Sequence, residues 1–242
     1  MKDTYIIITI FAVMLLFLGC TELNIKPQTI DISEIVDFTD PLIAKPNPDE
    51  AISLFNLNNN KWSGGNFRLL YITNVSYNPM FEARIEAENE WLSNKFQRAE
   101  KVKKFNSEIN KIVSGLSKEV VGKDNSSVYF PIAKELNRLS QSSATTKVML
   151  IYSDLMQNTV EMSFYDKQKF NLLKTNPDLI KKYFDSQTEL KNLSGIKIYL
   201  IYQPANTTAD ENYRIVSSFY KNLFESKGAE VEITANVNSR EL

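Results

Sequence analysis

The sequence predicts a doubly wound α/β fold, with a mainly parallel sheet of about five strands and helices on both faces. Three observations lead there. Beyond residue 29, short runs rich in β-branched and aromatic residues alternate with segments whose apolar residues recur at helical spacing, the rhythm of βαβ units. Each later apolar run is too short to span a bilayer and is flanked by Lys, Asp, Asn or Ser. The composition, 43% hydrophobic against 24% charged, suits one globular domain with its own core.

Taken in order, residues 30–37 are apolar at several alternating positions and read as the first strand, closing on Phe38-Thr39-Asp40-Pro41. A short helix is expected over 48–57, because Pro48 suits a first turn and Asp49 and Glu50 favour its positive end. The polar run 58–65 ends it, with Gly64-Gly65 as turn punctuation. Residues 67–73 read as a buried strand stopped by Asn78-Pro79. From 80 to 121, Ile85, Trp91, Leu92, Phe96, Phe105 and Ile109 fall mostly at three- and four-residue steps. That spacing predicts an amphipathic helix, continuous or broken around Ser93-Asn94.

The hydroxyl pair Ser126-Ser127 precedes a helix expected over 131–139, and residues 146–154 form a strand that ends in Ser153-Asp154. Helical spacing over 166–193 is divided at Asn176-Pro177, since proline does not continue a helix through that point. A strand over 196–202, a helix over 210–226 closed by Gly228, and a last strand over 229–235 complete the pattern.

Charge and residue usage exclude several kinds of chemistry. A formal net charge of −1 supplies no positive field for a phosphate backbone, so nucleic acid is not an expected partner. The chain has no histidine and one cysteine, which removes the Ser-His-Asp arrangement, histidine-based zinc sites, a disulfide framework and a cysteine nucleophile in the mature chain. Carboxylates, hydroxyls and amides remain. Gly64-Gly65 precedes a strand instead of following one and fits no dinucleotide or P-loop fingerprint. Lys101, Lys103 and Lys104, flanked by Glu100 and Glu108, read as a solvated helix face.

At the N-terminus, the apolar run 5–18 is short of the about 20 residues that cross a hydrocarbon core, and fits the apolar region of an export leader. The following Leu16-Phe17-Leu18-Gly19-Cys20 resembles the lipobox of bacterial lipoproteins, in which the cysteine is acylated and becomes the first residue of the mature chain. The resemblance implies a signal peptide over 1–19, a lipidated tether over 20–28 and an α/β domain over 29–242. The domain then stands on the extracytoplasmic side of a bacterial cell envelope, held to a membrane by its acyl anchor. Lys2 is the one basic residue of the leader and Asp3 offsets it, so a short uncleaved anchor helix is the alternative.

In a doubly wound sheet, ligands gather at the carboxyl ends of the strands, which directs attention to Asp37-Phe38-Thr39-Asp40-Pro41 and Ser153-Asp154-Leu155. With Ser126-Ser127 between them, and with the run from Ile151 to Thr159 followed by Ser163-Phe164-Tyr165, the chain resembles von Willebrand factor type A domains over about 30–235. The resemblance implies a metal-ion-dependent adhesion site binding Mg²⁺ or Mn²⁺. Asp37 takes its first acidic position, Thr39 its first hydroxyl, Ser127 or Ser126 its distal hydroxyl, and Asp154 its late acid. Pro41 stands where the pattern has a second hydroxyl and offers no side-chain oxygen, and Asp40 replaces it only in a reshaped loop. A degenerate, metal-free version is therefore the alternative to an occupied site. A second alignment takes the stronger strand over 67–73 as the first, so that the polar side chains alternating over 71–78 supply the loop and Asn74, a poorer cation ligand, stands at the leading position.

Each of these residues alone reads more readily as a helix cap or turn former than as a ligand. Together with the anchor, they imply a membrane-bound module that recognises another protein. The alternative is a metal-dependent hydrolase of phosphoesterase type working through the same carboxylates. The scarcity of catalytic side chains favours the binding module over an enzyme.

Overall fold

The computed structural model describes residues 28–39, 44–73, 78–115 and 126–236. Within them the chain forms strands β1 (Thr29–Asp37), β2 (Gly64–Ile72), β3 (Met80–Ile85), β4 (Thr146–Tyr152), β5 (Ile196–Ile201) and β6 (Glu230–Thr234). The helices are α1 (Pro48–Leu54), α2 (Lys95–Ser114), α3 (Tyr129–Gln141), α4 (Lys167–Thr175), α5 (Pro177–Gln187) and α6 (Thr207–Glu225). The strands lie in one sheet ordered β3-β2-β1-β4-β5-β6, in which every neighbouring pair is parallel except β2 and β3. This is the doubly wound α/β architecture. The strand order reverses between β1 and β4, so the switch point lies at their carboxyl ends.

Alternation along β1 builds both cores. Ile30, Ile32 and Val36 enter one with Phe55, Phe67 and Phe105, while Ile35 enters the other with Leu136 of α3, Phe184 of α5 and Phe224 of α6. Central position makes even the polar residues of this strand buried. Asp31 and Ser33 join a charged network against α3: Arg138 donates to both oxygens of Asp31 (2.8 and 2.7 Å), and Ser33, Arg138 and Arg68 all donate to Glu135 Oε1. Glu34 turns to the opposite core, where its Oε2 has no hydrogen-bond partner among the described residues. Burial, aided by the charge of Glu50, pushes its pKa up to about 8.

Several sequence expectations are corrected. The sheet has six strands, because the first part of the expected helix over 80–121 is strand β3, pairing antiparallel with β2 from Met80↔Leu70 to Ile85↔Gly65. Its alternation, with Ala83 and Ile85 inward and the intervening residues outward, competes with a helical period that begins at Ile85. The helix starts only at Lys95, where the Asn94 side chain accepts from the N–H groups of Phe96 and Gln97. Trp91, Leu92 and Phe96, expected on a buried face, are exposed. Residue 121 lies outside the described residues.

Gly64 and Gly65 are part of β2, not a turn. A Cβ on Gly64 would sit 2.8 Å from the Ala87 nitrogen, and one on Gly65 would sit 2.7 Å from the buried Phe55 ring. Both are glycine because other chain elements approach too closely for a side chain. The division at Asn176-Pro177 is present, but no helix continues past Gln187 before β5. Helix α6 ends ahead of Gly228, whose φ of +95° suits glycine.

Cys20, the leader over 1–19, and the tether up to residue 27 lie outside the described residues. No helix of the described residues is long and apolar enough to cross a membrane.

Two outcomes follow from this packing. Gly65→Ala, which drives a methyl into the Phe55 ring, is expected to cost about 1–3 kcal/mol in urea unfolding. For Glu34 the folded pKa is raised, so its contribution is fully present below the unfolded value and lost as pH climbs through about 8. Wild-type stability relative to Glu34→Gln should therefore fall by several kcal/mol between about pH 5 and 8, and a flat difference across that range would contradict the burial of a protonated Glu34.

Candidate functional site

Strand β1 ends in Asp37, whose side chain faces the α3 and α6 side of the sheet and is 1% exposed. Its Oδ1 accepts from the Thr39 N–H (3.0 Å) and the Thr39 hydroxyl (2.6 Å), closing a turn just past the strand. Its Oδ2 accepts from the hydroxyl of Ser153 (2.9 Å), the first residue after β4. One carboxylate thus joins the carboxyl ends of the two strands between which the order reverses. Ser153 Oγ in turn accepts from the Leu155 N–H (2.8 Å), so the loop after β4 is fastened to the same group.

That loop places the other expected residues. Asp154 is 8% exposed; its Oδ1 accepts from the Met156 N–H (2.9 Å), and its Oδ2 lies 3.5 Å from the Tyr165 hydroxyl. Leu155 holds φ at +62°, an uncommon conformation for a branched residue, and is fully buried. Gln157 Oε1 accepts from the N–H groups of Val128 and Tyr129 (2.8 and 3.0 Å), capping the start of α3 from across the loop. Ser126 pairs with Asn158 through both backbone hydrogen bonds (2.9 Å each). Ser126 and Ser127, both buried, therefore reach this end of the sheet through the main chain and the Gln157 cap.

Beside Asp154 opens a crevice of about 270 Å³ lined by Met156, Tyr165, Tyr202, Asn206, Asn212 and Tyr213, among others. The rings of Tyr202 and Tyr213 are 4.8 Å apart. The Tyr213 hydroxyl finds no hydrogen-bond partner among the described residues, and neither does that of the fully buried Tyr220. Burial drives both phenol pKa values up, and the nearby Asp154 carboxylate adds to the rise in each; at Tyr220, Asp37 adds to it as well. Both acids therefore act on one phenol from the same region.

The fit to a hard divalent cation, which takes about six oxygens at 2.0–2.1 Å, is incomplete. Asp37 already accepts three protein hydrogen bonds, two of them from Thr39, whose hydroxyl is the first of the expected set. Among the described residues no three acidic or cysteine side chains converge to hold a metal. Asp40, Pro41 and Asn74 lie outside the described residues.

The sequence reading singled out Asp37, Thr39, Ser126, Ser127 and Asp154, but not the roles of Ser153, Gln157 and Tyr213. Ser153 was visible as the hydroxyl beside Asp154. The reach of Gln157 to α3 and of Tyr213 from α6 depends on tertiary placement that no local spacing encodes.

Comparison with solved structures finds similarity to the crystal structure of conserved hypothetical protein BatB from Bacteroides thetaiotaomicron, with 6% identity and a TM-score of 0.36 over 88% of this chain and 93% of that one. No protein-family model matches the chain, and no curated protein does.

Replacing Asp37 by Ala strands the Ser153 hydroxyl and the Thr39 N–H in a buried site. The expected loss is about 2–4 kcal/mol by chemical denaturation. A loss within about 0.5 kcal/mol would show that these donors do not depend on Asp37.

Proposed function

We propose that the protein is a membrane-anchored lipoprotein whose α/β domain binds another protein at the carboxyl end of its sheet, through a degenerate adhesion-type site that needs no divalent cation. The observation that carries this reading is the crevice beside Asp154, where three tyrosines and two asparagines surround one carboxylate. Tyrosine offers large, rigid contact area with a polar tip, and is enriched where proteins meet. Tyr165, on the loop after β4, lines the crevice and is itself exposed, as is Val160 on the same loop. Asp154, on the wall of the crevice, suits a basic or hydrogen-bonding side chain of the partner.

The same geometry disfavours a hydrolase. A water-activating metal needs more ligands than the two carboxylates here, and Asp37 is occupied as a structural acceptor.

A photo-crosslinking residue at Tyr165, in the full chain in its native envelope, is expected to capture one protein partner, while the same residue at Lys104 on α2 captures none. Capture should persist in the presence of a chelator and fall about tenfold with Asp154→Ala, the loss of one desolvated charged contact. Equal capture at both positions, or none at Tyr165, would contradict the assigned surface. Phosphoester hydrolysis stimulated by Mg²⁺ and lost with Asp154→Asn would replace it with the hydrolase.

A further inference from the structure

Trp91, Leu92 and Phe96 are 92%, 87% and 86% exposed, and they lie together ahead of and within the first turn of α2. Soluble proteins seldom expose large apolar side chains in a cluster without using them. The segment that presents them is firmly built. Arg98, 1% exposed, donates to the backbone carbonyls of Lys61, Glu86 and Ser63, and the Glu88 N–H donates to the Trp62 carbonyl. The Asn89 and Asn94 side chains accept from the N–H groups of Trp91 and Phe96. A buried guanidinium thus holds the base of the patch while its apolar tips point to solvent.

The position of the patch identifies what it meets. Because β3 runs antiparallel to β2, the chain leaves β3 at the amino end of the sheet, opposite the crevice. Strand β1 enters at that same end, with Thr29 paired to Gly64. A Cβ on Gly64 would meet both the Ala87 nitrogen at 2.8 Å and the Thr29 Cγ2 at 3.2 Å, so the stretch leading to Trp91 adjoins the point where the chain arrives from Cys20. The nine residue steps from Cys20 to Thr29 reach at most about 30 Å when fully extended. A lipid group on Cys20 therefore keeps the amino end of the sheet close to the bilayer.

We propose that Trp91, Leu92 and Phe96 dock the domain on the lipid surface, burying their side chains at the boundary between headgroups and acyl chains. This rests on the reading of Cys20 as the membrane anchor. Tryptophan and phenylalanine favour that boundary, and their burial adds to the acyl anchor a second contact that fixes the orientation of the domain. The neighbouring charges balance: Arg84 pairs with Glu86 and Lys101 with Glu88, and Glu90 and Lys95 within the segment are of opposite sign. Apolar burial, not attraction to anionic lipid, drives the docking, and zwitterionic phosphatidylcholine suffices. Strand β1, nine residues at about 3.3 Å each, then holds the Asp154 crevice roughly 30 Å from the membrane, facing outward.

The chain has two tryptophans, Trp62 and Trp91, so the difference between wild type and Trp91→Phe isolates the emission of Trp91. Full-length protein is reconstituted in phosphatidylcholine vesicles with or without brominated acyl chains, and circular dichroism checks that the variant is folded. The expected result is about a twofold quenching of the Trp91 emission by brominated lipid, together with protection from aqueous iodide. Trp91 emission unchanged by brominated lipid overturns the proposal, and protection from iodide without such quenching points to a protein occupant and overturns it equally. Mass spectrometry of the same preparation reads the acyl group on Cys20. A quenched Trp91 beside an unmodified Cys20 removes the acyl anchor and leaves the docking, whereas an acylated Cys20 beside an unquenched Trp91 removes the docking alone.

Discussion

A single buried carboxylate governs the arrangement at the carboxyl end of this sheet. Asp37 ends the central strand β1, turns the chain through Thr39, and takes the Ser153 hydroxyl that opens the loop after β4. A buried ionisable group is costly unless its acceptor capacity is filled, and here three donors from two strand ends fill it. Those donors belong to the two elements between which a doubly wound sheet reverses, so satisfying Asp37 also fixes the mouth of the switch point. Ser153 passes the constraint to Leu155, and the loop that follows carries Asp154, Gln157 and Tyr165 into place.

Much of this was legible in the sequence, because parallel strands buried on both faces leave near-continuous apolar runs, and Thr146 to Tyr152 is such a run. The switch-point acids were legible for the same reason, since they follow those runs directly. Strand β3 was not, because this short edge strand's apolar residues, Met80, Phe81, Ala83 and Ile85, run on into the helical spacing of α2. The Asp31–Arg138–Glu135 network is not legible because Asp31 lies about a hundred residues from the Glu135-Arg138 pair, which by itself looks like an exposed i,i+3 helix pair. Gly64 and Gly65 misled because close approach of Ala87 and Phe55, and not a turn, explains them.

The two ends of the sheet divide the chemistry. At the amino end the chain enters, and a rigid apolar patch stands on a buried arginine. At the carboxyl end a carboxylate and three tyrosines line a crevice. A parallel sheet carries this polarity inherently, because all its connections of one kind gather at one end of its strands.

The central claim is that Asp37 joins β1 to β4 through Ser153, and a double-mutant cycle measures it most directly. Urea unfolding of wild type, Asp37→Asn, Ser153→Ala and the double variant yields the interaction energy of the pair. The account predicts a coupling of at least about 1 kcal/mol, since each partner satisfies the other in a buried site. Effects that add within about 0.5 kcal/mol would contradict it and reduce the joint to two unrelated turn residues.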